Sequence, residues 1–347
     1  MKLRRLRSRA LAAAVSAALC WVLFPAAAQN QNSAASRSAP TPQTPPPWAY
    51  PVGPGAPPPQ EGGAPKRLPG SNAAFTEMQV RDAFNVADWH PDDHPPMPEI
   101  VVHGRKPDVR GCGYCHLPNG QGRPENSSLA GLPAAYIAQQ MADYKNGARK
   151  SAEPKMGPPA AMLAIGQAAT EAEGKAAAEY FSSFKLKPWI RVVESKTVPK
   201  TRVEGGMLVA ADPGGTEPIG QRIIEMPENL ERTELRDPRS GFVAYVPVGS
   251  IKKGEELVTT GGAKVVAGKI VAGKTIQCGI CHGPDLKGLG NVPGIAGRSP
   301  SYTIRQLYDM QHGARAGLGA ELMQAVVAHL SEEDMVAIAA YTASRVP

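Results

Sequence analysis

Residues 112–149 recur, shifted by 166 positions, at 278–315. Fourteen of these 38 positions are identical without a gap. Further on the register changes to 161, where Glu171 meets Glu332 and Tyr180 meets Tyr341. Such a chain contains two copies of one folding unit, the first with a loop five residues longer. Each copy opens on a C-x-x-C-H run, Cys112-Gly113-Tyr114-Cys115-His116 and Cys278-Gly279-Ile280-Cys281-His282. Any fold assigned to this chain must therefore bring two thiols and an imidazole together on one turn, twice.

That run is the attachment pattern of a c-type haem. Two thiols three positions apart on a helical turn reach the two vinyl groups of the porphyrin and form thioethers. The adjacent His116 or His282 then supplies an axial nitrogen to the iron. A covalently held cofactor also completes the core of a unit of roughly 80 residues, a size at which a core alone is marginal. Competing readings fit less well. A thioredoxin-like site needs a βαβ setting that neither copy offers, and paired C-x-x-C zinc sites lie ~15–20 residues apart, not 166. A disulfide within each pair is the remaining alternative. The second axial ligand calls for a soft thioether if the iron is to cycle between oxidation states. Met162 and Met323 each lie eight residues before a helix-capping residue, Thr170 or Ser331, and this shared register selects them. Met156 is the rival in the first copy, and Met310 and Met335 read as core.

The rest of the chain divides by composition. Residues 1–28 read as a signal peptide: Lys2, Arg4, Arg5, Arg7 and Arg9 precede an apolar run that ends at Ala26-Ala27-Ala28. The run is shorter than the ~20 residues of a membrane span, so cleavage after Ala28 is expected, with an uncleaved membrane tether as the alternative. Without the first ten residues, 33 basic side chains stand against 31 acidic ones. No basic stripe points to nucleic acid. Residues 29–70 are rich in Pro, Ala, Gly and Ser and predict a disordered linker. A leader at 71–107 carries one helix at 73–85 and a loop with His90, His94, Asp92 and Asp93, which reads as solvated rather than metal-binding. The first haem-bearing domain spans 108–187, with helices at 134–146 and 170–184. A β-containing insert or linker spans 188–248, with strand-like runs at 189–193, 207–209 and 242–246. The second domain spans 249–347, with helices at 251–260, 302–312 and from the cap at Ser331 to 344.

On C-x-x-C-H, the shared A-G…Y…Q…D…G-A-R segment and a Met before a capped terminal helix, the sequence resembles class I cytochromes c, most closely the dihaem cytochrome c4 type. The resemblance covers about half the chain. It implies a mainly α fold: two class I cytochrome c helical domains, here joined by a small β-containing insert and preceded by a disordered Pro-rich segment. It further implies single-electron transfer in the bacterial periplasm, with Cys112, Cys115, Cys278 and Cys281 holding two haem c groups and His116, Met162, His282 and Met323 on the irons. A carbonyl in a proline-containing loop accepts from the ligand histidine in this family. Pro293 matches that position, and Ser127 replaces it in the first copy. Two departures stand out. The first copy lacks a helix immediately before its motif, a role left to 73–85, and the insert separates the copies.

The expected activity is electron carriage between redox proteins, such as a dehydrogenase, a membrane oxidase or another cytochrome, rather than catalysis of bond chemistry. One alternative is the cytochrome subunit of a periplasmic dehydrogenase. Another is a dihaem peroxidase-like enzyme, which needs an open sixth site on one iron. Arg149 and Arg315 read either as partners of haem propionates or as solvated residues at helix ends.

Overall fold

The structure, a computed structural model, describes residues 44–55, 58, 59 and 61–347. The stretch read as a signal peptide, with Cys20, and the proline-rich tract up to residue 43 lie outside the described residues. In the first copy α1 (Glu77–Val80) and α2 (Glu99–Val102) lead into α3 (Cys112–His116), α4 (Ala134–Lys145), α5 (Gly157–Ala168) and α6 (Glu171–Ser182). A reciprocal cap starts α6: the Glu173 N–H donates to Thr170 Oγ1 and the Thr170 N–H donates to the Glu173 carboxylate. Ile137 of α4 and Ala177, Ala178 and Phe181 of α6 share one core with Ile100 and Val101 of α2.

The segment between the copies is a small β unit: β1 (Ile190–Ser195), β2 (Thr197–Pro199), β3 (Thr201–Glu204), β4 (Met207–Ala210), β5 (Thr216–Pro218), β6 (Ile224–Pro227), α7 (Leu230–Glu234) and β7 (Phe242–Pro247). Its main sheet has the order β1-β7-β6. β1 runs parallel to β7 with Ile190 opposite Phe242, and β6 runs antiparallel to it. Val198, Ile219, Ile224, Met226 and Val243 form its own core. The second copy follows with α8 (Ser250–Thr260), the hairpin β8 (Lys264–Val266) and β9 (Lys269–Val271), α9 (Gly279–His282), the ribbon β10 (Gly288–Leu289) and β11 (Val292–Pro293), α10 (Pro300–Gln311), α11 (Ala320–Val327) and α12 (Glu332–Ala343). α8 packs so close to α12 that a side chain at position 254 would run into the Ala337 carbonyl, which explains Gly254.

The insert does not hold the copies apart. The described residues form one compact unit. Lys150 N–H donates to Ala314 O (2.7 Å) and Ala316 N–H to Ala148 O (2.8 Å), on either side of a β-bridge between Arg149 and Arg315. The two arginines are 6% and 9% exposed, so the reading of solvated helix ends is wrong. Arg149 donates to Gln140, Tyr302 and Gln306, and Arg315 to Gln306, Tyr136 and Gln140. Each guanidinium thus bonds the tyrosine of the opposite copy, and the junction has an approximate twofold symmetry inherited from the repeat. The insert instead braces both copies from the side. Glu225 of β6 accepts from Ser299 Oγ–H (2.7 Å) and Ser301 N–H (3.0 Å) at the start of α10, while the loop around α7 lies on the first motif.

Three other expectations are corrected. The linker expected to be disordered over 29–70 is ordered where it carries aromatic and leucine side chains. Ala49 and Tyr50 are buried against the second copy, and Leu68 packs with Trp89. Tyr50 Oη–H donates to Asp309 Oδ1 (2.7 Å) and Arg305 to Ala49 O (2.9 Å). The helix expected at 73–85 is only the turn Glu77–Val80, and the helix that packs on the first motif is α2, whose Val101 is fully buried. The histidine loop is not solvated throughout. His90 is buried against Asp237 of the insert (3.2 Å), and His94 pairs with Asp88 (3.1 Å).

Two outcomes follow from this packing. Tyr50→Phe removes one of two donors to the buried Asp309 Oδ1, Ala152 N–H remaining, and should cost about 0.5–1.5 kcal/mol, read as a lower urea midpoint. The second concerns Asp334 in the cap of α12. Burial acts to raise its pKa, but bonds from Lys274, Lys253 and Ser331 hold it well below the usual carboxylate range. Its stabilisation is therefore complete above the unfolded pKa of about 4 and is lost as pH falls through the lower folded value. Asp334→Asn should lower the urea midpoint at neutral pH, with the gap to wild type narrowing in acid. A gap independent of pH would count against this assignment.

Candidate functional site

The first motif forms α3, one turn that must sit tightly on α2. A Cβ at position 111 would lie 2.7 Å from the Val102 carbonyl, so Gly111 lets the turn approach. One residue past the histidine both copies leave the helix with positive φ, +63° at Leu117 and +82° at Gly283. A non-glycine residue there costs about 1–3 kcal/mol. Leu117, 1% exposed, offsets this by burial.

Both motif histidines are 8% exposed and make the same bond. His116 Nδ1 lies 2.8 Å from Ser127 O, and His282 Nδ1 lies 2.7 Å from Pro293 O. The carbonyl acceptor that the resemblance placed at Pro293 and Ser127 is thus present in both copies. In the second copy β10–β11 presents it, with Gly288 paired to Pro293. Since a carbonyl only accepts, Nδ1 carries the proton and Nε2 keeps its lone pair. Burial also holds both imidazole pKa values below normal, favouring the neutral, ligating form. The four motif cysteines are free thiols. Burial raises all the resolved thiol pKa values in these motifs, Cys112 to about 12 and Cys278 to about 11. A redox-active C-x-x-C site calls for a depressed thiol pKa, the opposite of what burial does at Cys112, Cys115 and Cys278.

Cys112, Cys115 and His116 border a cleft that opens to solvent. Its walls are largely apolar, including Ile137, Ile165 and Phe181, and Met162 of α5 faces it. Met156 does not line it: this side chain is fully buried in the core cluster of the second copy, beside Ile304. The cavity reaches the junction between the copies, where Arg149, Tyr302 and Arg305 line it. Close by, Arg315 Nε is buried without a partner. Two buried guanidiniums are bonded to neutral amides and phenols, with the Asp309 carboxyl on the same end of the cavity as Arg149 and Arg305. An amphipathic macrocycle with an apolar body and carboxylate tails fits such a cavity, and a haem is such a group. In the second copy Cys278 and Met323 pack on one core with Leu286 and Ile295. Thr275 Oγ1–H donates to Val326 O (2.8 Å), tying α11 to the segment before the motif.

Sequence reasoning missed α5 and α11, the helices that carry Met162 and Met323. Pro158 and Pro159 at the start of α5 were a usable signal, since proline favours the first helical turn. It also missed that the repeated Tyr, Gln and Arg would meet across the junction, although their identity at three polar positions marked them. Arg236 of the insert, which lies on Tyr114 of the first motif, had no signal in the repeat.

No family model matches the chain. It is 32% identical over 138 residues to cytochrome c4 of Azotobacter vinelandii, covering 37% of this chain and 63% of that protein. The match therefore spans less than two thirds of that relative. Over 82 residues it is 38% identical to cytochrome c-554(548) of Halomonas halodenitrificans, 23% of this chain and 99% of the relative. A longer alignment, 244 residues at 25% identity, pairs 69% of the chain with 80% of the thiosulfate dehydrogenase electron acceptor of Thiomonas intermedia. The chain belongs to the dihaem, cytochrome c4-like family of class I c-type cytochromes.

Proposed function

We propose that this chain carries two haem c groups and passes single electrons between redox proteins in the periplasm. The observation that carries the reading is the pair of buried neutral imidazoles, each fixed by a carbonyl eleven residues on. Bound haem supplies a one-electron iron couple. Everything else falls to the polypeptide. Cys112, Cys115, Cys278 and Cys281 hold the two groups by thioether bonds. His116 and His282 offer Nε2 to the metal, and their Nδ1 bonds to the carbonyls fix ring orientation and raise basicity. Met162 and Met323 supply the opposing thioether, which raises the potential. Met162 is favoured over Met156 because it faces the cavity. Apolar walls exclude water, and Arg149 with Arg315 offsets the carboxylate charge at the junction. A His and a Met available to each haem would leave no site for peroxide, which favours electron transfer over peroxide chemistry. The relative from Thiomonas intermedia, named for accepting electrons from thiosulfate dehydrogenase, favours a dehydrogenase as the donor. Among the described residues no helix is long and apolar enough to cross a membrane.

Protein from a host that matures c-type cytochromes should show the polypeptide mass plus two haems and a low-spin spectrum. A mass equal to bare polypeptide would end the proposal. Met162→Ala and Met323→Ala should each abolish one methionine–iron charge-transfer band and lower one of two midpoint potentials in a redox titration. Met156→Ala should leave both bands in place while costing about 2–5 kcal/mol of stability. Loss of a band in Met156→Ala, with retention in Met162→Ala, would transfer the ligand role to Met156.

A further inference from the structure

The two copies share a chemical kernel but differ in what covers it. In the first copy the loop around α7 roofs the motif. The Arg236 guanidinium lies 3.7 Å from the Tyr114 ring centroid and donates to Tyr114 O (2.6 Å). Asn119 donates to Pro238 O (2.8 Å), Gln121 to Ser240 O (2.8 Å) and Arg123 to Thr233 O (3.3 Å). Trp89 Nε1–H to Leu235 O (2.6 Å) and the His90–Asp237 pair anchor the same loop from the leader. Arg236 itself sits at φ +56°, a conformation costing about 1–2 kcal/mol that these contacts offset.

The equivalent positions of the second copy, 166 residues on, hold nothing of the kind. Tyr114 becomes Ile280, 63% exposed, and Arg123 becomes Leu289, 58% exposed. Asn119 and Gln121 become the exposed Asp285 and Lys287. Cys281 is exposed where Cys115 is half-buried. Next to this uncovered motif in sequence, the hairpin β8–β9 exposes every strand residue. Val265 stands opposite Ile270 across the ladder, and the two are 72% and 82% exposed. Two strands are marginal without a surface to cover them, and Ile276 extends the apolar character toward the motif. Residues 261–290 contain four lysines, Lys264, Lys269, Lys274 and Lys287, against the single acid Asp285. Nearby carboxylates pair two of the four, Glu256 with Lys264 (3.5 Å) and Asp334 with Lys274 (2.8 Å), while Lys287 donates to the Pro347 carbonyl (3.1 Å).

We propose that electrons are exchanged with partners through the second copy, at the exposed residues of segment 264–289: Ile280, Leu289 and the β8–β9 hairpin. The occupant is a redox protein with an apolar centre ringed by carboxylates. This inference rests on the haem reading above. An apolar patch in a segment where lysines outnumber acids four to one favours encounter with a partner of opposite charge. The insert closes the corresponding face of the first copy, so that copy exchanges electrons with the second.

The test uses holoprotein on a gold electrode coated with a mixed monolayer of carboxylate- and methyl-terminated alkanethiols, which presents the chemistry of such a partner. Val265→Glu/Ile270→Glu should slow interfacial electron exchange about tenfold or more, with both solution spectra and midpoint potentials unchanged. Lys264→Glu/Lys269→Glu should slow it and invert its salt dependence. Lys175→Glu on α6 of the first copy should leave the rate unchanged. The proposal is overturned if the hairpin variants match wild type, or if Lys175→Glu slows exchange equally. It is also overturned if the hairpin variants keep the electrode rate but lose binding to phosphatidylglycerol vesicles, or if they only convert a dimer to a monomer. Absence of two haem signals in wild-type protein would instead defeat the haem reading, and mass spectrometry before the electrode measurement separates the two failures.

Discussion

One hydrogen bond recurs at the centre of each copy, from a motif histidine to a backbone carbonyl eleven residues along the chain. A free imidazole can present either nitrogen to a metal, and rotation of the ring would spread its lone pair over many directions. Binding Nδ1–H to a fixed oxygen removes both freedoms. The loop that brings the carbonyl back must then turn sharply after the motif, which is why Leu117 and Gly283 adopt positive φ. Glycine does this at no steric cost; leucine does it because its side chain is buried at the same time. The bond thus sets the position of the loop, and the loop borders the cavity through Ser127 and Leu129.

The junction between the copies turns the repeat into one body. Buried arginines ordinarily require carboxylate partners. Arg149 and Arg315 bond amides and phenols instead, with the buried Asp309 carboxyl near Arg149. Such an arrangement is costly unless further negative charge arrives, and the inner end of the cavity is where the carboxylates of a porphyrin would supply it. The same residues that fix the relative position of the copies are therefore those suited to hold the cofactor's charged edge. Packing and cofactor binding would reinforce each other there, with the insert adding a second brace through Glu225.

How much of this was legible in the sequence depended on which features repeat. The motif, the capped terminal helices and the long helices α4 and α10 carry local signals in both copies, so their extents were read to within two residues. Three of the insert's seven strands, β1, β4 and β7, were found from β-branched and aromatic runs, but the parallel pairing of β1 with β7 needed the fold, since nothing local encodes a partner 52 residues away. The proline-rich tract shows the limit of compositional reasoning. Averaged over 29–70 it predicts disorder, yet Trp48 bonded to Glu332, Tyr50 bonded to Asp309 and the Ala49 carbonyl bonded to Arg305 hold the chain around residue 50. The methionine-bearing helices were overlooked for a related reason: proline and glycine at their starts read as loop until the rest of the turn is weighed.

The copies diverge where their surfaces meet different neighbours. At positions 114, 119, 121 and 123 the first copy carries side chains that hydrogen-bond or stack on the insert, or lends them its carbonyl. At 280, 285, 287 and 289 the second copy carries apolar or charged side chains open to solvent. Identity is retained at 112, 113, 115 and 116, which surround the reactive sulfur and nitrogen atoms, and at 136, 140 and 149, which make the junction. Burial and dielectric tune a haem potential even when the ligands are the same. Two haem sites with the same ligands, one roofed by protein and one facing water, would for that reason differ in driving force as well as in access. In a duplicated carrier the inserted β unit would then supply the asymmetry that identical surroundings lack.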